Sequence, residues 1–361
     1  MERTDGGWGG TRADMLRRVG HLAQLGGTRH YVLSDGRAQG VRAVDVETGA
    51  GLRFTVLPDR GMDISLARYR DVNLVYLTPN GEVHPAYYEP QGSGWLRTFF
   101  GGLLTTCGLT YLGAPGPDGE ETLGLHGRYA ASPACRVCDL SGWEGDRYVI
   151  RLSGVVEECA LFGAKIRLTR TITSAIGSRS LTIEDVAQNF GYTASPFTIL
   201  YHVNAGAPLL GESAELVVTA AKSEPFNEHS ATAAQDMLRF SAPAAGFEEQ
   251  NFLHTVTSDG TGRARAALIN RRLRDGLGLY LSWDAECLPY LNEWKMLGAG
   301  EYVVGMEPSN VPCRSRAQLR REELLPSLAP GESKTIRVEI GVLDGQEQIE
   351  AFVSDCAQHA V

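Results

Sequence analysis

The chain has 361 residues, 43% hydrophobic and 21% charged, enough apolar material for a real core and unlike disordered, collagenous or coiled-coil sequences. A formal net charge of −9 lacks the excess of Lys and Arg that nucleic acid or an anionic membrane surface would require, so the expected partner is a neutral small molecule. Its seven cysteines, odd in number and scattered, argue for reduced thiols in a cytoplasmic protein rather than a disulfide framework.

Residues 1–10 are Gly-rich and polar, with no basic stretch ahead of an apolar run, so no signal peptide is expected. Residues 1–19 read as a loosely ordered extension, and a helix is predicted over residues 14–25. Val41, Val44 and Val46 mark a strand. The most apolar segment, residues 98–115, is interrupted by Thr, Gly and Cys and is no membrane span. Tyr148, Ile150 and Leu152 alternate as in a half-buried strand. So do Ile166 and Leu168, and a turn over residues 175–178 before Leu181 and Ile183 makes a hairpin. Leu279, Leu281 and Trp283 mark another strand. Ile336, Val338, Ile340 and Val342 give the clearest period of two, starting after Pro330-Gly331. Only Ile349, Phe352, Val353 and Cys356 follow helical spacing. Many short strands with few helices to cross over them predict an all-β, mainly antiparallel sandwich, one large domain over residues 1–361.

Several chemistries lack their residues. No Gly-rich run ends in Gly-Lys-Ser/Thr, no dinucleotide fingerprint opens a helix, and no Gly-x-Ser-x-Gly elbow occurs. Cys135-x-x-Cys138 has half of a zinc spacing but no second pair, and reads as ordinary thiols. Four places remain. His126, in Leu125-His126-Gly127-Arg128, fits a pocket rim with Arg128 beside it, or a loop histidine capping a turn. His202, in the apolar run before Asn204, needs a partner when buried, as a satisfied core histidine or as a titrating group. Glu307 interrupts the apolar run 302–306 just ahead of Pro308, which is expected to end the strand. Such a carboxylate either forms a structural ion pair or titrates upward into a general base. Arg60, in Pro58-Asp59-Arg60-Gly61, suits a tight turn or a ligand contact.

Together these stretches resemble the aldose 1-epimerase (galactose mutarotase-like) superfamily, in its branch known as DUF4432. Leu57-Pro58-Asp59-Arg60-Gly61-Met62-Asp63, Phe100-Gly101-Gly102-Leu103-Leu104, Leu125-His126-Gly127-Arg128, Tyr201-His202-Val203-Asn204, Asn292-Glu293-Trp294-Lys295 and Gly305-Met306-Glu307-Pro308 carry the resemblance. It implies a large β-sandwich with a few short helices, acting on a free sugar as a monomer or homodimer with no cofactor. Glu307 would take the proton of the anomeric hydroxyl, and His202, held cationic by a nearby carboxylate, would give one to the ring oxygen. His126 would hold substrate, Glu249 would grip sugar hydroxyls, and Arg97 or Arg60 would reach a ring hydroxyl. Trp294 suits a stacking platform or a core position. A non-catalytic sugar-binding protein, or a lyase using Lys295 or Tyr201 as base, are the competing readings.

Overall fold

The structure, a computed structural model, describes residues 11–359. About 47% is strand and 14% helix, as the period-two patterning predicts. Strand Ser180–Asn189 alternates perfectly between half-buried and buried positions, and Lys165–Ala175 nearly does. They pair antiparallel, and Ser333–Asp344 pairs on the far side of Ser180–Asn189. These strands, with Arg147–Cys159, Leu277–Asp284 and Arg263–Asn270, form the centre of a nine-stranded sheet. A six-stranded sheet faces it, in the order Ala220–Pro225, Gln250–Val256, Tyr290–Gly298, Glu301–Ser309, Thr198–Gly206, Thr105–Leu109. A five-stranded sheet over residues 27–73 packs beside both. Leu168, Ile183 and Val338 of the large sheet, Val203, Leu291 and Met306 of the six-stranded sheet, and Val56 and Ile64 of the third share one contiguous apolar core.

Three expectations need correction. The helix over residues 14–25 is only Arg12–Leu16, followed by one 3-10 turn at Leu22–Gln24, because His21 Nδ1 accepts from Ala23 N–H and caps a fresh turn. The loose extension, where it covers residues 1–10, lies outside the described residues. Beyond them it is anchored: Met15 is buried and Arg12 N–H donates to Asp146. Pro308 does not end its strand, which continues to Ser309 with Pro308 paired opposite Leu291. The helix Gln346–His359 forms where the spacing places it, burying Ile349, Phe352 and Cys356. Among the described residues no helix is long and apolar enough to cross a membrane.

Two charged residues occupy buried phases of the alternation. Arg170 and Asp185 face each other across adjacent strands, fully enclosed, and Arg170 also reaches Asp63 of the five-stranded sheet at 2.8 Å. Thr106 N–H and Oγ1 donate to Asp63, and Tyr201 Oη donates to Asp185. The network therefore ties all three sheets together directly behind His202. Removing one partner leaves the others charged, buried and unpaired, which typically costs ~3–5 kcal/mol. Arg170→Met should lower stability by about that amount in denaturant unfolding; a loss under ~1 kcal/mol would show that water already screens the cluster.

Candidate active site

Strand register builds the floor of the site. Leu200 pairs with Ser309 and Val203 with Met306, which sets His202 opposite Glu307 on neighbouring strands. On the other side Asn292 pairs with Glu307 and Trp294 with Gly305. His202, Glu307, Asn292 and Trp294 thus share one face of the sheet and line one cavity of about 720 Å³. His202 Nε2 and Glu307 Oε1 lie 3.1 Å apart, with the two residues only 4% and 3% exposed. Gly305 is required here: a Cβ on it would overlap Glu307 Oε1 and press on Trp294 Cβ. Asn292 fixes the strand end, donating to Glu307 O and Ser309 Oγ while accepting from Cys313 N–H.

The walls are aromatic. Trp95 stacks on Phe99 at 4.5 Å, and Phe99 and Trp294 flank the His202 ring at 5.2 and 5.4 Å. Trp95 and Phe99 sit on and just after the 3-10 turn Gly94–Arg97. Trp294 is aimed by Glu249, whose Oε2 accepts from its indole N–H at 2.8 Å. His126 enters from a loop, 6.0 Å from the His202 ring and tilted against Trp95. It holds a left-handed backbone, φ 57°, uncommon outside glycine. Backbone bonds keep it there: His126 N–H donates to Gly113 O, and His126 O accepts from Gly108 N–H. The following Gly127, φ 83°, packs against the Gly108 and Tyr111 carbonyls where any Cβ would clash.

Burial sets the electrostatics. It pushes Glu307 well above the ordinary carboxylate range and His202 down to about 3, the latter helped by His126. His126 itself falls to about 4. The cleft therefore does not favour a cationic His202 in its resting form, which corrects the expectation from sequence: desolvation dominates, and the neighbouring His126 adds to it. Around the cleft, His126 Nδ1 and His202 Nδ1 are buried without a hydrogen bond, and Glu307 Oε1 has only its ion-pair contact with His202 Nε2. Unsatisfied polar atoms beside a cavity are costly, and a polyhydroxylated ligand would satisfy those that reach it.

Of the residues singled out from sequence, Glu307, His202, His126, Glu249 and Trp294 come together in this cavity. Asn204 sits behind it, fully buried, its amide donating to Gly102 O and His202 O. The three arginines do not line the cavity. Arg60 is enclosed and donates to the carbonyls of Ala130, Val83 and Thr98, its long side chain being a tie between loops. Arg97 is 70% exposed beside Glu89, and Arg128 turns to Glu158 and the Tyr111 ring. Lys295 and Tyr201 alternate with the cleft-facing residues and point to the other face. Lys295 Nζ donates to Asp236 O, and Tyr201 belongs to the Arg170 network. Cys135 and Cys138 are exposed on strand Cys135–Asp139, and the described residues contain no cluster of three His, Cys, Asp or Glu fit to hold a metal. Sequence reasoning missed Phe99, Asn292 and Gly305 as site residues. The last two lay in motifs already noticed, at i±2 from Trp294 and Glu307, where a strand puts neighbours on one face.

This antiparallel sandwich is the galactose mutarotase-like fold, and the solved structures agree. A proposed aldose 1-epimerase from Klebsiella pneumoniae is 25% identical, with a TM-score of 0.89 over 94% of this chain and 91% of that one. A galactose mutarotase-like protein from Clostridium acetobutylicum is 11% identical, with a TM-score of 0.63 over 88% and 98%. Galactose 1-epimerase from Lactobacillus acidophilus is 13% identical, with a TM-score of 0.54 over 88% and 99%; at such identities these two share the fold alone. No curated protein matches the chain. Residues 38–342 match the family described as "Domain of unknown function (DUF4432)", and the chain belongs to that family.

Gly305→Ala tests whether the Glu307 carboxylate needs its present place. The added methyl should displace it by about 1 Å and cost any Glu307-dependent activity ~10²-fold, with the fold intact by circular dichroism. Full activity in this variant would mean that the carboxylate works from elsewhere.

Proposed function

We propose that the protein is a mutarotase-type isomerase that interconverts the two anomers of an uncharged free sugar. The observation that carries this reading is the 3.1 Å apposition of His202 and Glu307 at the floor of an aromatic cleft with unpartnered polar atoms. Anomerisation takes the proton from the C1 hydroxyl, gives one to the ring oxygen and breaks the bond between C1 and that oxygen. The aldehyde then turns about C1–C2, and the ring closes on its other face by the reverse transfers. The pair must therefore hold one proton and one vacancy. The directions of the two shifts favour that state: burial disposes Glu307 to hold a proton and His202 to stay neutral, so one proton serves the pair. With the proton transferred to His202, the pair is set for the forward step. A carboxylate with a raised pKa is then a strong base for the hydroxyl, and an imidazolium with a lowered pKa is a strong acid for the ring oxygen. Each positioned group contributes ~10²–10⁴-fold. His126 and Glu249 hold hydroxyls, and Trp294, aimed by Glu249, stacks on a sugar face.

The charges around the cleft support an uncharged substrate. Apart from the catalytic pair, its described lining residues include the carboxylates of Glu249 and Glu301 but neither Lys nor Arg, so a sulfonate, phosphate or carboxylate would meet repulsion and no lining counter-ion. The lyase alternative loses its bases, since Lys295 and Tyr201 face away from the cleft. A pure binder would gain nothing from desolvating two titratable groups beside each other.

Exchange NMR across a panel of freshly dissolved aldoses and their 6-phosphates tests the proposal. We expect acceleration with at least one neutral aldose and none with its phosphate; exchange of the phosphates alone would overturn the charge argument. The rate should show no acid limb in the ordinary histidine range. On the acid side it is lost only as His202 takes a second proton, toward about 3, because burial lowers that group. On the alkaline side it is lost as Glu307 gives up its proton, well above the carboxylate range. An acid limb near the free-histidine value of ~6.5 would contradict a desolvated pair.

A further inference from the structure

The cleft is longer than the reaction requires. One end holds His202, Glu307 and His126. The cavity then continues along the hairpin of Tyr290–Gly298 and Glu301–Ser309 to Met296 and Glu301, where Tyr76 and Asn80 close it from the side. At about 3.3 Å per residue, the strand between Glu307 and Glu301 spans roughly 20 Å, several times the width of one sugar ring. A cavity of about 720 Å³ is likewise in the range of ~300–1,000 Å³ that encloses drug-sized ligands, whereas a single hexose is smaller.

The far half is also built rather than merely empty. Tyr76 is half-buried, its Oη donating to Gly300 O, which sets its ring against the end of the hairpin beside Glu301. Asn80 is fixed by its amide, which donates to Leu96 O and Phe99 O, so the loop carrying it is joined to the aromatic wall of the catalytic end. Met296 follows Trp294 by two residues on the same face of its strand, continuing the apolar floor away from the reacting pair. An aromatic ring, a thioether and, at the solvent-exposed mouth, the Glu301 carboxylate together suit a sugar. Its C–H face packs on Tyr76 and Met296 while its hydroxyls donate to Glu301.

We propose that this far half is a second sugar subsite, and that the protein takes the reducing end of an uncharged saccharide of two or more rings. The inference rests on the mutarotase reading for its orientation. Only a reducing end offers the free hemiacetal that His202 and Glu307 can open, and the run of cavity along the hairpin places the next ring toward Tyr76 and Glu301.

Titration calorimetry with the full chain tests the subsite independently of catalysis. The probes are glucose with maltose, maltotriose, cellobiose and lactose, which share its reducing-end ring, then galactose and mannose with their β-1,4-linked disaccharides. In at least one series the longer sugar should bind about tenfold more tightly than the monosaccharide. Tyr76→Ala and Glu301→Ala should each bring that ratio toward one, with thermal unfolding measured on both to confirm folding. Equal affinity for one ring and two in every series would overturn the subsite, as would a preference that survives both substitutions. Exchange NMR on the same sugars separates the two readings: a ladder of affinities without anomer exchange would sink the mutarotase proposal alone. No saccharide binding at all would sink both.

Discussion

Everything at this site depends on two titratable side chains being held 3.1 Å apart where water is scarce. In water an imidazole and a carboxylate titrate independently, near 6.5 and 4.3, and neither is a strong acid or base toward a sugar hydroxyl at neutral pH. In the cleft, burial raises Glu307 and lowers His202, so separate charges are disfavoured and one proton serves both groups. The aromatic walls of Trp95, Phe99 and Trp294 keep solvent from the imidazole. The same dryness strengthens every hydrogen bond that a ligand makes there.

Such a pair is tolerable only if the backbone beneath it cannot relax. His202 and Glu307 lie on adjacent strands of the six-stranded sheet, and the paired residues on either side of them, Leu200 with Ser309 and Val203 with Met306, fix their separation. Behind them, Tyr201 and Thr106 connect that sheet to the Arg170–Asp185–Asp63 cluster, and through it to both other sheets. Three charged groups, Arg170 between Asp63 and Asp185, are paired inside the core on one side of the strand, while the imidazole and carboxyl of the reacting pair lack full hydrogen bonding on the other. The rigid side is structural and the unsatisfied side faces the cavity.

The fold was legible because its strands alternate: Leu181, Ile183 and Ala187 of one strand, and Ile336, Val338 and Ile340 of its neighbour, occupy the buried phase that the letters imply. Glu307, His202 and His126 were legible for the opposite reason, as polar residues where apolar ones or plain turn residues were due. The arginines were not. A sequence shows that Arg60, Arg97 and Arg128 are near conspicuous motifs but not which way a long side chain turns. Arg60 turned inward to three carbonyls, and the other two turned to Glu89 and Glu158. The sign of the histidine shift was also hidden, because it depends on three aromatic rings brought from distant segments. The broken helix over residues 14–25 was lost to a local competitor, the His21 cap, which propensity alone does not rank.

The central claim is that Glu307 and His202 act as one proton-transfer unit on one anomeric centre. Saturation-transfer NMR on a responsive sugar, comparing wild type with Glu307→Gln, His202→Asn and the double variant, tests it most directly. The amide keeps the shape and hydrogen bonding of Glu307 but cannot take a proton. Each single variant should therefore still bind sugar, lose anomer exchange by ~10²-fold or more, and be little worse when combined. Exchange persisting near the wild-type rate in Glu307→Gln would contradict the account.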